Sequence, residues 1–476
     1  MDGPTEWRIE RADRFSVIVD AENYFRVARR AMLGAKQRIM LVGWDFDARI
    51  VLDYDCGSDE GPRTVGEFIY WLVQRNPDLE VFLLRWDVGA FQALFRGTTI
   101  LTVLKWMRHP RIHTKLDGHH PAGASHHQKV VVIDDCLAFC GGIDMTGERW
   151  DTRAHADGEP RRVLASGRPY KPWHDATTAV TGPVAAALGE MARERWQIAG
   201  GKPLAPVPGA APCWPEGLHP DFEGVPVRIA RTIPEMAGQE PAHESERLFL
   251  MQIAAARYHV YIESQYFASR RIAEAIARRL DEPDGPEFVV VNPENAQGWL
   301  EPIAMDTARA RLVEALRRRD THGRFRLYHP FTAGGAPVYA HAKILIADGR
   351  VLRLGSSNMN NRSLRLDTEC DLAIEAADEA TAERIAAIRD DLVAEHLGVA
   401  PERVTATMAE TGSLIATVEA LRGDGRSLRP YRAPNLNAVE QWLADNEVLD
   451  PEGPGEMFEV VSRRGLFRRR LRQPGG

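Results

Sequence analysis

Short apolar runs alternate along the chain with longer stretches that carry an apolar residue at every third or fourth position, and both halves show the same order. The runs predict strands, and the longer stretches predict helices that bury one face. Because strands that alternate with helices are typical of βαβ units, the sequence predicts two similar α/β sandwich halves with a largely parallel sheet. The predicted helices are 65–75, 100–108, 270–280 and 307–319, and the predicted strands are 79–84, 288–291 and 325–328.

One polar pattern is repeated around an apolar run in each half. Residues 127–134 read H-Q-K-V-V-V-I-D, and residues 341–348 read H-A-K-I-L-I-A-D, so both have the form H-x-K-x4-D. A strand alternates its faces, and the His and Lys of each copy therefore point the same way. Turns of small residues follow at 141–144 and 355–358. Their backbone N–H groups can approach an anion closely.

The two copies together offer two imidazoles and two ammonium groups, from His127, Lys129, His341 and Lys343. Such a set suits a phosphate: the cations neutralise its oxygens, one His attacks phosphorus, and the other serves the leaving group. We expect the halves to pack with these motif strands facing each other. The predicted active site lies at their interface.

The predicted boundaries follow the composition. Residues 1–200 form the first catalytic half, and residues 227–430 form the second. Between them, 201–226 contains seven prolines and reads as a linker. Residues 431–476 are a C-terminal extension. A polar loop at 151–172 has no counterpart in the second half and is a candidate substrate loop.

Charge and hydropathy exclude several protein classes. The net charge is −7, from 60 basic and 67 acidic residues, which disfavours a nucleic-acid partner. No run of 18 apolar residues predicts a membrane span. The N-terminus lacks the basic start and apolar core of a secretory signal. We therefore expect a cytoplasmic monomer whose contact with membrane is peripheral.

The cysteines and the C-terminal arginines refine this expectation. Five scattered cysteines do not form a disulfide framework, and Cys136 and Cys140 are predicted to be small core residues in a reducing compartment. Six arginines surround three apolar residues within 463–472. Such a tail contacts an anionic lipid surface or is a solvated end, and the sequence leaves both interpretations open.

The chain resembles the phospholipase D superfamily over roughly residues 10–400, and within it the eukaryotic-type phosphatidylcholine-hydrolysing enzymes. The similarity implies a duplicated phospholipase D fold and cleavage of a phospholipid through a phosphohistidine, followed by release of phosphatidic acid or transfer to an alcohol. A cardiolipin-synthase-like transferase and a nuclease are the alternatives. Besides the two motifs, the segments that carry the resemblance are 141–144, 149–152, 172–175, 261–267, 355–363 and 367–369.

The resemblance also implies partners for the two histidines. Each needs a group that holds its other ring nitrogen and steadies the imidazolium. By position in the family, Glu369 is expected to pair with His341, and Asp175 with His127.

Further residues are expected around the phosphate or outside the reaction. Asn358, Ser356 and Asp144 are predicted to bind the phosphate or to position the His pair. The motif aspartates Asp134 and Asp348 are predicted to be structural. Each lies past the four strand residues that follow the motif Lys, which at about 3.3 Å per residue places it about 17 Å or more from its own His.

Metal chemistry is the competing interpretation, because His113, His119, His120, His126 and His127 are close in sequence. The Lys beside each motif His cannot bind a metal, and the spacings of a zinc site are absent. The sequence therefore predicts no metal and no cofactor.

Overall fold

The computed structural model describes residues 3–87, 99–208, 213–296 and 305–432. The remaining residues, including nearly all of the C-terminal extension and its arginines, lie outside the described ranges.

The described residues form an α/β structure in which the main helices and strands recur in both halves, and the second half carries additional elements. The helices are α1 Ala21–Leu33, α2 Val65–Arg75, α3 Thr99–Met107, α4 Pro183–Ile198, α5 Glu244–Ala255, α6 Arg270–Leu280, α7 Thr307–Arg319, α8 Glu379–Leu397, α9 Pro401–Thr411 and α10 Leu414–Leu421. The strands are β1 Arg8–Val19, β2 Arg38–Gly43, β3 Glu80–Trp86, β4 Ile112–Asp117, β5 Val130–Ile133, β6 Leu137–Gly141, β7 Trp173–His174, β8 Ala176–Thr181, β9 Phe222–Ile233, β10 Ala242–His243, β11 His259–Glu263, β12 Glu287–Val291, β13 Phe325–Phe331, β14 Tyr339–Ala340, β15 Ile344–Ala347, β16 Val351–Gly355, β17 Glu369–Glu375 and β18 Ser427–Pro430.

Among the described residues, both halves contribute to one sheet of 16 strands, of which 15 follow one another in order and β10 pairs with β9 beside them. The second half supplies the order β18-β13-β12-β11-β15-β16-β17-β9, and the first half continues it as β1-β8-β6-β5-β2-β3-β4. At the centre, β1 and β9 pair antiparallel with Phe15 opposite Phe222. Outward from this pair each half presents the same succession of strands. The predicted duplicated α/β fold is therefore confirmed.

The prediction of a largely parallel sheet is wrong. In the large sheet, as far as the structure describes it, only three strands of each half are parallel, β2-β3-β4 and β11-β12-β13. Strands β5, β6 and β8 pair antiparallel, as do β15, β16 and β17. The reason is local. Each motif strand ends in a two-residue turn with positive φ, at Asp134 and Asp135 and at Asp348 and Gly349, and a turn this short reverses the chain without a crossover helix.

A continuous apolar core fixes the halves relative to each other. One cluster of buried side chains contains Val132 and Val180 from the first half together with Ile346 and Leu372 from the second. Removing this surface from water stabilises the contact by roughly 25 cal/mol per Å² of apolar area. The two motifs are consequently held on one rigid base.

The segment between α4 and β9 lies back against the first half. Val207 N–H donates to Asp135 Oδ2 at 2.9 Å, and Cys213 forms a disulfide with Cys136 beside it. The prediction that Cys136 is a reduced core residue is therefore wrong, because this segment returns to the β5–β6 turn. Cys140 is a buried thiol, as expected. Strand β9 begins at Phe222, inside the predicted linker.

The hydropathy of the helices bears on whether the chain contains a membrane span. In the parts of the chain that the structure describes, no helix combines the length and apolar character that a membrane span requires.

Candidate active site

Each motif histidine stands just before its strand and contacts the other half of the chain. His127 precedes β5 and donates its backbone N–H to the Thr368 carbonyl at 3.0 Å. His341 precedes β15 and donates its backbone N–H to the His174 carbonyl at 2.7 Å. The entry to each motif strand therefore runs alongside the segment that leads into β17 or β8 of the opposite half.

This arrangement decides which carboxylate holds each imidazole. His127 Nδ1 is hydrogen-bonded to both oxygens of Glu369, each at 2.9 Å, and His341 Nδ1 to Asp175 Oδ2 at 2.6 Å. The predicted pairing, Glu369 with His341 and Asp175 with His127, is wrong. Because β7 and β14 pair in parallel with His174 opposite Ala340, the residue that follows His174 lies next to the second motif.

The two motif lysines are buried beside the histidines. Lys129 Nζ donates to the His127 carbonyl at 2.9 Å and lies 3.2 Å from Asp144 Oδ2. Lys343 Nζ donates to the His341 carbonyl and lies 3.1 Å from His341 Nδ1. Each lysine thus keeps its ammonium next to the imidazole of its own motif.

Electrostatics joins the two motifs into one site. Burial lowers the pKa of His127 well below its usual range, and the ammonium groups of Lys129 and Lys343 lower it further. Burial together with Lys343 lowers the pKa of His341 in the same way. Burial and the ammonium groups thus favour the neutral form of both imidazoles, whereas a phosphate anion bound beside them would favour the protonated form.

The pKa of one motif lysine is also displaced. Burial lowers the pKa of Lys343 to about 7, and the nearby Lys129 ammonium contributes to the shift. A phosphate bound between the two lysines would restore the charge, because an anion favours the protonated form. An anionic ligand would therefore offset the repulsion between the two ammonium groups.

The two carboxylates have opposite shifts. Burial alone would raise the pKa of Asp175, but His341 and Lys343 outweigh it and hold that pKa at about 2. Burial raises the pKa of Glu369 well above its usual range. The partners of the two histidines therefore have pKa values that are shifted in opposite directions, and such a difference separates acid–base roles in other sites.

The predicted phosphate-binding residues line the same region. Ser356 Oγ donates to Glu369 Oε2 at 2.5 Å and so helps to position that carboxylate. Asp144 accepts the backbone N–H of Trp44 at 3.0 Å in addition to its contact with Lys129. Asn358 Nδ2 is 3.5 Å from a glutamine oxygen, whereas its buried Oδ1 accepts no hydrogen bond from the described residues. Asn358 thus has a polar atom available to a ligand.

A stack of aromatic rings covers His341. The Trp173 ring lies 5.0 Å from the His341 ring and 4.6 Å from the Tyr339 ring, measured between centroids. On Trp173, the guanidinium of Arg149 lies 4.3 Å from the ring centroid, and its charge contributes to the lowered pKa of His341. Arg149 lies in the segment 149–152 that carries the family resemblance, but no role was predicted for it.

The motif aspartates lie away from this chemistry. Asp134 accepts hydrogen bonds from the backbone N–H groups of residues 36–38 at 2.6 to 2.8 Å. Asp348 accepts those of residues 257–259 at 2.7 to 3.0 Å. Each carboxylate thereby ties the end of a motif strand to the start of its neighbour, β2 or β11.

Replacing Asp348 with Ala is expected to lower the free energy of unfolding by about 1.5–3 kcal/mol, the usual contribution of hydrogen bonds to a charged acceptor. Turnover per folded molecule should stay close to that of the wild type. Urea unfolding and an activity assay on the folded fraction measure both quantities, with the exposed Asp284→Ala as the control. A loss of activity without a loss of stability would contradict the structural role.

Models of two related domain families match the two halves separately. The model described as phospholipase D matches residues 31–208, and the model described as cardiolipin synthase, PLD-like domain, matches residues 249–391. Each match contains one copy of H-x-K-x4-D. The chain belongs to the phospholipase D superfamily.

Relatives within this superfamily are distant. Phospholipase D A of Dictyostelium discoideum is 23% identical across 83% of this chain and 36% of its own length. Cardiolipin synthase A of Pseudomonas fluorescens (strain SBW25) is 28% identical across 61% of this chain and 52% of its own length. The chain spans between 36% and 38% of three phospholipase D relatives that it matches.

A solved structure supports the superfamily fold. The crystal structure of phosphatidylserine synthase from Haemophilus influenzae Rd KW20 superimposes with a TM-score of 0.55, at 14% identity, over 87% of this chain and 96% of that protein. The likeness concerns the duplicated fold alone.

Proposed function

We propose that this protein is a phosphodiesterase, a phospholipase D that hydrolyses a phospholipid to phosphatidic acid and a free head-group alcohol. One observation carries the proposal: two imidazoles, one buried and one 16% exposed, are each held by a buried carboxylate from the other half and stand beside two buried ammonium groups. Such a set neutralises a phosphodiester and supplies both a nucleophile and an acid–base. Membership of the superfamily supports this assignment.

In the first step, Nε2 of His127 attacks phosphorus while the bond from phosphorus to the head-group oxygen breaks. Protonated His341 gives its Nε2 proton to the departing alkoxide, and a phosphohistidine forms. In the second step, His341 removes a proton from water, the hydroxide attacks phosphorus, and the phosphorus–nitrogen bond breaks. Phosphatidic acid leaves, and both histidines return to their starting states.

The opposite pKa shifts of the two carboxyl groups support this division of roles. An ionised Asp175, with a pKa of about 2, stabilises the imidazolium that His341 must become when it serves as an acid. Glu369, whose pKa burial raises, offers less stabilisation to an imidazolium at His127. A neutral His127 is the form that a nucleophile needs.

Lys129 and Lys343 are proposed to bind the non-bridging phosphate oxygens, where charge grows in the transition state. Asn358 Oδ1, which has no hydrogen-bond partner among the described residues, is proposed to accept a hydrogen bond from the substrate or from a water that it orders. Asp144 and Ser356 are proposed to act through Lys129 and Glu369, respectively.

A cardiolipin-synthase-like phosphatidyltransferase is the second candidate, because the same intermediate can be captured by a lipid hydroxyl. The description of the family model over residues 249–391 and the Pseudomonas relative favour its inclusion. A nuclease is disfavoured by the net charge of −7. Product analysis with phosphatidylcholine, phosphatidylglycerol and DNA as separate substrates distinguishes the three activities.

Adding a primary alcohol is expected to yield a phosphatidylalcohol at the expense of phosphatidic acid. A covalent intermediate with an empty leaving-group site accepts water or alcohol, so the product ratio should follow the alcohol concentration. Head-group release, measured in parallel, should stay constant if formation of the intermediate limits the rate. Hydrolysis product alone at every alcohol concentration would indicate direct attack by water and would remove the nucleophilic role of His127.

Peripheral contact with an anionic membrane is a further proposal, assigned to the arginines of 463–472, which lie outside the described residues. Removing 462–476 is expected to weaken binding to anionic vesicles and to make the remaining binding less sensitive to salt, since charge attraction is screened within about 10 Å at 0.1 M. Sedimentation with vesicles across a salt series measures this, and cleavage of a soluble short-chain lipid is the control. Superimposable binding curves would leave the tail as a solvated end.

A cytoplasmic location and a monomeric state complete the proposal. The Cys136–Cys213 disulfide is an observation against the cytoplasmic location, because disulfides persist in oxidising compartments.

A further inference from the structure

A second cluster of titratable groups lies directly behind Asp175. It consists of Asp20, His155, His174 and Glu395, whose side chains are at most 2% exposed. One potential ligand atom from each of the four lies within 4.8 Å of the others. The first three belong to the first half, and Glu395 belongs to α8 of the second half.

One ring nitrogen of His155 and one of His174 face the carboxylates of Asp20 and Glu395, at distances close to those between the ligands of a metal ion. His174 Nδ1 lies 2.9 Å from Glu395 Oε1 and 3.3 Å from Asp20 Oδ1. His155 Nε2 lies 3.1 Å from Glu395 Oε1 and 3.6 Å from Asp20 Oδ2. Four ligands placed tetrahedrally about 2.1 Å from an ion would be about 3.4 Å apart. The cluster thus has the dimensions of a four-ligand site.

The outer ring nitrogens are held as they are in metal-binding histidines. His155 Nδ1 is 3.0 Å from Asp151 Oδ2, and His174 Nε2 is 2.7 Å from Glu263 Oε2. A ligand histidine commonly donates its distal N–H to a carboxylate, which sets the tautomer and turns the other nitrogen to the metal. Both rings here have such a partner on the side away from the cluster.

One oxygen remains unsatisfied when the cluster is closed by hydrogen bonds alone. Asp20 Oδ1 accepts the backbone N–H of Asp175 at 3.1 Å, but the buried Oδ2 accepts no hydrogen bond from the described residues. An unpaired carboxylate oxygen is costly in the interior. A single ion between the four groups would bond Asp20 Oδ2 together with Glu395 and both rings.

Backbone strain occurs at two of the four residues. Asp20 has a φ of 66° and His155 a φ of 43°, a region that non-glycine residues seldom adopt. Strain of this kind costs about 1–3 kcal/mol and persists where the surroundings fix it, often at ligand sites.

Positive charge is required inside the cluster, because every ring nitrogen of His155 and His174 faces a carboxylate. Two added protons or one divalent cation can supply it. The convergence of four ligand atoms and the unsatisfied Asp20 oxygen favour the cation.

We propose that Asp20, His155, His174 and Glu395 bind one divalent cation of the zinc class. The ion ties α8 to the first half and holds the segment that carries Asp175, the partner of His341. It does not touch the substrate. The sequence predicted no metal, since its residues at 20, 155, 174 and 395 follow no ligand spacing.

Elemental analysis of the full-length protein tests this proposal. The protein is produced in zinc-supplemented medium and dialysed against metal-free buffer. We expect about one zinc per chain in the wild type and less than about a tenth in Asp20→Asn, which keeps an acceptor for the Asp175 N–H. The matched control is Asp117→Asn, because Asp117 is a buried carboxylate paired with His126 at 3.1 Å and lies outside the cluster. It should retain its zinc.

Metal content is read without any assay of lipid cleavage, so failure of this inference and failure of the proposed function are distinguishable. The inference is overturned if the wild-type protein contains less than about a tenth of an equivalent of zinc. Two protons would then supply the positive charge inside the cluster. Equal zinc in the wild type and in Asp20→Asn also overturns it, because the ion would then lie elsewhere. If Asp20→Asn does not fold, cobalt bound to the wild type decides: visible bands of a tetrahedral site with histidine ligands support the inference, and their absence overturns it.

Discussion

His127→Ala and His341→Ala are each expected to lower turnover on a natural phospholipid by at least about 10²–10⁴-fold, the usual worth of acid–base or nucleophilic help. The double variant should be little worse than either single variant, because residues that act as one unit are strongly non-additive. The physical reason is that attack by one ring and proton transfer by the other belong to the same step.

Steady-state rates on a short-chain lipid measure these losses. The control is His126→Asn. His126 precedes His127 in sequence, but its Nε2 lies 3.1 Å from Asp117 and not at the motif site. Its turnover should stay within about tenfold of the wild type. A motif variant that keeps more than about a tenth of the wild-type rate would refute the paired mechanism.

A substrate with a good leaving group separates the two roles. A nitrophenol leaves without a proton, so such a substrate should recover much of the activity of His341→Ala in the first step. His127→Ala should recover none, since it lacks the nucleophile. The reverse result would exchange the roles of the two histidines.

Glu369→Gln and Asp175→Asn are expected to lower turnover by about 10²–10⁴-fold, as loss of a carboxylate partner does in other histidine sites. The substitutions keep the size of each side chain but change the charge that orients the imidazole. Because the carboxylates pair across the halves, Asp175→Asn should resemble His341→Ala, and Glu369→Gln should resemble His127→Ala.

The same leaving-group comparison tests this cross-pairing. The defect of Asp175→Asn should shrink on the activated substrate, whereas that of Glu369→Gln should persist. Thermal unfolding of both variants gives the stability control, because each carboxylate is fully buried. If Glu369→Gln is the variant that recovers, each carboxylate acts on the histidine of its own half.

The local sequence pattern alone predicted several helices, the duplication and the shared site. The helices 65–75, 270–280 and 307–319 begin and end where their apolar periodicity does, because a helix that packs on a sheet must present one apolar stripe. The repeated H-x-K-x4-D predicted both the duplication and a site shared by two motifs. Simple geometry separated Asp134 and Asp348 from the histidines, since strand length limits what they can reach.

Tertiary structure decided what depends on contacts between distant segments. The strand directions followed from two-residue turns with positive φ, which periodicity does not reveal. The carboxylate partner of His341 comes from the other half, because parallel pairing of β7 with β14 places Asp175 beside His341. Likewise, Cys136 contacts Cys213, and Asp20 lies beside Glu395, although no sequence pattern indicates that these distant residues are neighbours. A local pattern sets which face of an element is buried, but only the packing of the two halves determines which side chains meet.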